Sequence, residues 1–430
     1  MAITATTVWE IRTTGLNTNG GGYDNLSPGV SVDYSQQDAP ILTRSDFQKG
    51  TGANDITTAA GVACFTQAMI GNIICVTTAS VIKFFQITAV SGDFKTITVD
   101  AAVGAFTGKT GSVGGAYKLG GANDTIFDDA ASKSAGNVIH IKAGTYTLTA
   151  TLSFPTTSLV FLGYNAARND NPTGANRPVI DGATFQFGVT GSPLTLKHLI
   201  FTGLGLATPQ LSLGSVFVYN CKFINTYTAG TDRITVQVTE SASSGSHFVF
   251  CEFSSAKGIS LNLIGSANAF PTISTRNCYF HGGNCGMTLS GPIVIRDCVF
   301  AEHSIVGAAA PAGIRFSSTS AINISGCIFY AETTGIQNIT NLSSGATIVN
   351  NIFDVCATGL SWYLGGDSSQ NYINYNCYHC TVADSVNMAK GPDDITADPL
   401  FVDPANADFR YTLGSPCFNT GMQVGSIVGL

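Results

Sequence analysis

One eight-residue phrase recurs through the middle of this chain, and its period leaves few folds open. It reads VFVYNCKF at residues 216–223, then SHFVFCEF at 246–253, ISTRNCYF at 273–280 and IVIRDCVF at 293–300. INISGCIF at 322–329 and ATIVNNIF at 346–353 continue it, NYNC at 374–377 is a worn last copy, and a cysteine-free copy, LTLKHLIF, stands earlier at 194–201. The closing aromatics, Phe201, Phe223, Phe253, Phe280, Phe300, Phe329 and Phe353, are 22, 30, 27, 20, 29 and 24 residues apart. A ragged spacing of that size marks a solenoid whose extra residues go into loops.

Within each copy, apolar and polar residues alternate as in a half-buried strand. Asn220, Asn277, Asp297, Gly326, Asn350 or Asn376 follows, residue types that tolerate the left-handed backbone best. After that one-residue bend the alternation resumes out of phase, so the Cys and Phe positions turn inward. Further strand starts follow at Gly258-Ile259, Gly286-Met287, Gly313-Ile314, Gly335-Ile336 and Gly359-Leu360. Strand, bend, strand, turn, strand once per 20–30 residues describes a parallel β-helix. The leucine and asparagine spacing of leucine-rich repeats is absent.

The flanks read differently. Residues 1–46 are aperiodic and Gly-rich yet carry Trp9, Ile11, Tyr23 and Tyr34, which are costly to leave in water. This predicts an extended segment that attaches to a partner, with folding back on its own chain as the alternative. Residues 47–121 predict a small β domain with strands near 70–76, 84–90 and 96–100. Residues 122–385 form the β-helix, opened by a short capping helix over 123–134, and residues 386–430 form its C-terminal cap.

Only 11% of residues are charged, and the net charge is -7, with no basic stripe for nucleic acid and no apolar run long enough to span a membrane. The first residues lack the basic and apolar regions of a secretion signal. Of twelve cysteines, Cys221, Cys251, Cys278, Cys298 and Cys327 share one position of the phrase, and Cys377 is aligned with them. Same-position side chains on stacked coils point the same way, so the expectation is free buried thiols made in a reducing cytoplasm.

Residues 138–154 resemble the first coil of right-handed parallel β-helix proteins of the pectate-lyase-like superfamily. Asp398-Pro399-Leu400-Phe401-Val402-Asp403-Pro404, Asp408-Phe409-Arg410 and Gly414-Ser415-Pro416 resemble a segment common at their C-terminal end. Trp9-Glu10-Ile11-Arg12, Asn19-Gly20-Gly21-Gly22, Gly163-Tyr164-Asn165 and Arg177-Pro178-Val179-Ile180 are similar to β-helix proteins encoded by tailed phages. The resemblance implies an all-β, right-handed parallel β-helix and a virion structural protein: a fibre, spike or capsid-surface appendage. It implies a homotrimer, contact with other virion proteins through the N-terminal region, and localisation in the virion. The alternatives are a polysaccharide-degrading tailspike, a lyase or glycoside hydrolase, and a bacterial surface adhesin.

Such folds carry enzymes and inert members alike, so activity has to come from side chains. A hydrolase needs two carboxylates on one groove. Asp297, Glu302, Glu332 and Asp354, with His281 and His303 nearby, are the candidates, but scattered surface acids account for them better, and no catalytic residue, cofactor or metal ligand is assigned. Cys377-Tyr378-His379-Cys380 has metal-ligand composition, but Cys377 and His379 are read as inward core positions. Lys222 and Glu252 should pair on an outward column. Tyr279, Tyr330, Tyr375, Tyr378, Trp362 and Tyr363 are read as at or near the surface, which suits host-surface glycans or subunit contacts equally.

Overall fold

In the computed structural model the described residues are 4, 6–24, 30–78, 81–119, 136–149, 152–154, 158–182, 187–189, 194–203, 211–228, 233–239, 245–264, 273–305, 310–317, 321–340, 345–364 and 370–419. The chain divides into two compact units, Met1–Asp181 and Gly182–Leu430. The expected capping helix over 123–134 lies outside the described residues.

The first unit holds a closed antiparallel barrel. Its strands run, around the barrel, Leu42–Lys49, Asp55–Thr58, Thr96–Val99, Val81–Val90, Ile73–Thr78 and Lys109–Val113. Phe47, Ile56, Phe65, Ile74, Phe85 and Ile97 fill it, with the Phe47 and Phe65 rings stacked at 5.9 Å. The Gly-rich stretch before residue 121 begins inside the barrel strand Lys109–Val113. Gly111 is required there, since a Cβ would lie 2.6 Å from the Cys75 carbonyl oxygen and 2.9 Å from the Phe47 ring.

The N-terminal segment takes the alternative path and folds onto its own chain. Thr7–Ile11 pairs in parallel with Val138–Lys142, the first coil strand, and antiparallel with Gly22–Asp24. Trp9 is 1% exposed, edge-on to Phe84 of the barrel at 6.1 Å, and its indole N–H donates to Asn137 Oδ1. Glu10 is fully buried, held by Arg12 at 2.9 Å and Arg168 at 2.8 Å, and accepts from the Tyr164 hydroxyl. Thus Trp9 and Ile11 belong to a core inside the chain and are not offered to a partner. A lone segment cannot build a core, but it can complete one and cover a strand edge that would otherwise be unpaired.

The second unit is a parallel β-solenoid of three sheets. The first contains Leu194–Lys197, Val216–Tyr219, Ser246–Val249, Ile273–Arg276, Ile293–Arg296, Ile322–Ser325, Ala346–Val349 and Tyr372–Asn374, all in parallel register. The second runs from Ile200–Thr202 through Lys222–Asn225, Glu252–Ser255, Tyr279–His281, Val299–Ala301, Ile328–Tyr330 and Ile352–Asp354 to Cys377–His379 and Ile395–Thr396. The third includes Ile259–Ile264, Cys285–Leu289, Ala312–Phe316, Thr334–Asn338 and Thr358–Ser361. The bend residues between the first two sheets take positive φ as expected: Asn220, Asn277, Asp297, Gly326 and Asn350. His198, Phe250 and Tyr375 occupy the same slot against their intrinsic preference.

The aromatic column is one continuous stack. Rings from Phe201 through Phe223, Phe253, Phe280, Phe300, Phe329 and Phe353 to Tyr378 follow at 5.2, 4.9, 4.6, 4.8, 5.1, 4.9 and 5.0 Å. A column of glycines on the third sheet makes room for it. A Cβ on Gly313 would lie 2.9 Å from the Phe329 ring, and one on Gly335 would lie 2.6 Å from that of Phe353. Gly258 stands one residue outside this column, where Ser260 takes the slot.

Cys221, Cys251, Cys278, Cys298 and Cys327 form the buried column, and all twelve cysteines are free. Burial pushes the Cys278 and Cys327 thiols well above their ordinary range. Unfolded without reductant, the chain should therefore react with about twelve equivalents of a thiol reagent. Intact disulfides found by mass spectrometry would contradict the free-thiol assignment.

The last copy is shifted by one residue from its sequence alignment. Tyr375 makes the bend, and Asn376 fills the cysteine slot behind Asn351. An amide ladder replaces thiols there: the N–H of Cys327 donates to Asn351 Oδ1, that of Asn351 to Asn376 Oδ1, and that of Asn376 to Asp394 Oδ1. Cys377 therefore faces outward with Val299, Ile328 and Ile352, beneath Phe409 and Cys417 of the C-terminal segment. That segment explains why an outward column beginning with Lys222 and Glu252 turns apolar.

Candidate functional site

The acids singled out in the sequence fall into separate environments. Asp297 sits in the bend before the second sheet, whereas Glu302 sits in the bend after it at φ 63°. Four residues lie between them, with Val299–Ala301 extended, so the two bends are at most about 16 Å apart along the chain. Glu332 points inward from the next coil and is fully buried against His303, Oε1 to Nδ1 at 2.7 Å. Glu332 Oε2 and His303 Nε2 have no hydrogen-bond partner among the described residues. Burial pushes the Glu332 carboxyl up, against the pull of His303. The pair lies on the inside of the wall, where no polymer can reach it.

The outward column of the second sheet behaves as its sequence suggests. Lys222 Nζ meets Glu252 Oε1 at 2.6 Å on the next coil, and His281 Nε2 approaches the same oxygen at 3.1 Å. Burial would raise the Glu252 carboxyl, but hydrogen bonds from His281 and Lys222 hold it below its ordinary value. Further along, Asp354 is 5% exposed and hydrogen-bonded to His379 Nδ1 at 2.7 Å. Burial dominates there and pushes the carboxyl up despite the histidine. His379 thus faces outward, correcting its inward assignment, and Tyr378 takes the ring position in the stack.

The proposed surface aromatics also divide. Tyr378 is buried, and so is Trp362, edge-on to Phe316 at 5.3 Å. Tyr279 is half-buried on the His281 ring, its hydroxyl pushed up to about 12 by burial and by Glu302 and Glu252. Tyr330 packs against Phe409 at 5.6 Å. Tyr363 and Tyr375 are exposed.

An aromatic surface not singled out in the sequence lies on the outer face of the first sheet. Strand alternation turns Val216 and Val218 inward and Phe217 and Tyr219 outward; Phe217 is 36% exposed, and Phe250, in the next bend, is 42% exposed. Tyr219 stands edge-on to Phe250 at 5.6 Å and to His198 at 5.6 Å. Lys197 Nζ lies 5.7 Å above the Phe217 ring. In the Tyr219 column, two and three coils on, Arg276 and Arg296 are exposed neighbours in register, and His247 bonds Ser274 at 2.8 Å beside them. The eight strands that the second unit contributes to this sheet carry no carboxylate, although the chain as a whole is acidic. Their alternation was the signal that could have found this face: outward positions should be polar, and Phe217 is not.

The fold and these faces define a parallel β-solenoid with an all-β barrel in its N-terminal part. No protein-family model matches the chain, and no curated protein matches it. No helix among the described residues is long and apolar enough to cross a membrane.

Proposed function

We propose that the chain is a structural protein of a tailed-phage virion, a β-helical appendage whose first sheet binds polysaccharide at the host surface. The observation that carries the reading is the row of Phe217, Tyr219 and Phe250 beside Lys197, Arg276 and Arg296, on second-unit strands that carry no carboxylate. Apolar ring faces cover the C–H faces of sugars, and nearby N–H donors fix their hydroxyls. The virion part of the reading is supported by the resemblance at residues 9–22 and 163–180, and the free thiols suit assembly in a reducing cytoplasm. In the same reading copies assemble as a homotrimer, through surfaces other than those of Trp9 and Ile11.

The test is retention of the full chain on an array of purified bacterial surface polysaccharides. At least one should retain it, and the double change Phe217→Ala with Phe250→Ala should weaken retention about tenfold or more, equivalent to about 1.4 kcal/mol. Equal binding by the double variant, or no retained polysaccharide, would overturn the reading. Progressive shortening of a bound polysaccharide would replace it with that of a degrading tailspike.

A further inference from the structure

We propose that Asp354, His379 and Asp398 form a site for one divalent transition-metal ion of the zinc class on the outside of the second sheet. The three residues come from successive layers. Asp354 and His379 are register partners on adjacent strands, and Asp398 follows Ile395–Thr396, the next strand of the sheet. One donor atom from each lies within 4.8 Å of the other two. Ligands of a single zinc ion, at about 2.0–2.2 Å from it, stand roughly 3–3.5 Å apart. Asp354 is fixed by burial while His379 and Asp398 are exposed, so modest side-chain rotation of those two closes the set.

The donor chemistry selects the ion class. Calcium takes six to eight oxygen ligands, whereas an imidazole with two carboxylates suits zinc and its neighbours, with remaining positions left to water. The charge balance points the same way. Among the described residues no lysine or arginine lies within ion-pair distance of Asp354 or Asp398. Two carboxylates thus face one imidazole, and Asp354 is too buried for water to screen it. Asp398 Oδ1 accepts from the Leu400 N–H at 2.8 Å, which leaves Oδ2 as the oxygen to turn toward an ion. An ion here would fasten the start of the C-terminal segment beside the place where Phe409 covers Ile328 and Ile352. The site is on a different sheet from the polysaccharide face, and zinc binding is tested separately from polysaccharide binding.

The experiment is calorimetric titration of the full chain, freed of metal by a chelator, with zinc alone and with calcium alone. His379→Ala and Asp398→Asn are the test variants, and His247→Ala on the first sheet is the control. The expected result is one zinc per chain, weakened about tenfold or more in each test variant and unchanged in the control. Circular dichroism of the variants keeps the comparison to folded protein, and cobalt titration gives a second reading through a visible band that His379→Ala removes. Absence of zinc binding, zinc binding unaffected by both test changes, or preference for calcium would each overturn the assignment.

Discussion

Phe300→Ala is expected to cost about 3–5 kcal/mol, read as a lowered denaturant midpoint at unchanged slope. The ring is fully buried between Phe280 at 4.8 Å and Phe329 at 5.1 Å, and glycines on the third sheet press backbone against its edge. Removing it leaves a void that its neighbours cannot fill, because each is held at its own coil by the strand register. The loss combines lost transfer free energy, the cavity, and two broken ring contacts. A change below about 1 kcal/mol would mean that the ring is not part of a buried stack.

His303→Ala should be as damaging for a different reason. Among the described residues the histidine is the sole hydrogen-bond partner of the Glu332 side chain, and removing one member of a buried pair strands the other, at about 3–5 kcal/mol. Replacing both, as His303→Leu with Glu332→Met, should recover most of that loss because apolar residues need no counter-charge there. The pH dependence has a definite sign. Burial raises the folded-state pKa of Glu332, so the folded chain holds that proton more tightly than the unfolded chain does. In His303→Ala the penalty is therefore smallest in acid, where Glu332 is protonated in both states, and grows as pH rises through its folded pKa. Equal stability loss in the single and double variants would contradict this account of the corner.

The repeated phrase was enough to read the solenoid, the bend residues and the aromatic column, because strand alternation and the left-handed bend are both local properties of sequence. It misplaced the last coil. Asparagine favours the bend, which points to Asn376, yet the structure bends at Tyr375 and uses Asn376 as a buried hydrogen-bonding amide. One residue of slip inverts every side chain, which is why His379 was assigned inward and Tyr378 outward. The N-terminal segment was legible as apolar anchors but not as a strand, since its partner, Val138–Lys142, is more than a hundred residues away. The faces of the candidate acids are illegible in sequence for a similar reason. Spacing placed Glu302, Glu332 and Asp354 near one edge but could not say which face of the wall each occupies. Asp398 was part of the C-terminal resemblance, and nothing local to it indicates that it returns to Asp354 and His379.

All of these placements depend on one claim, that the coils of the second unit stack in a single unbroken register. Spin labels on Thr195→Cys and Thr347→Cys test it directly, in a chain whose half-exposed Cys64 and Cys380 are replaced by serine. The two threonines occupy the same outward column, six strands apart through Phe217, His247, Ser274, Val294 and Asn323. Six steps of about 4.8 Å predict a narrow distance distribution centred at about 29 Å, before allowance for the label arms. A broad distribution, or a centre beyond about 40 Å, would contradict the stacked register and with it the sugar-binding face and the second-sheet metal site.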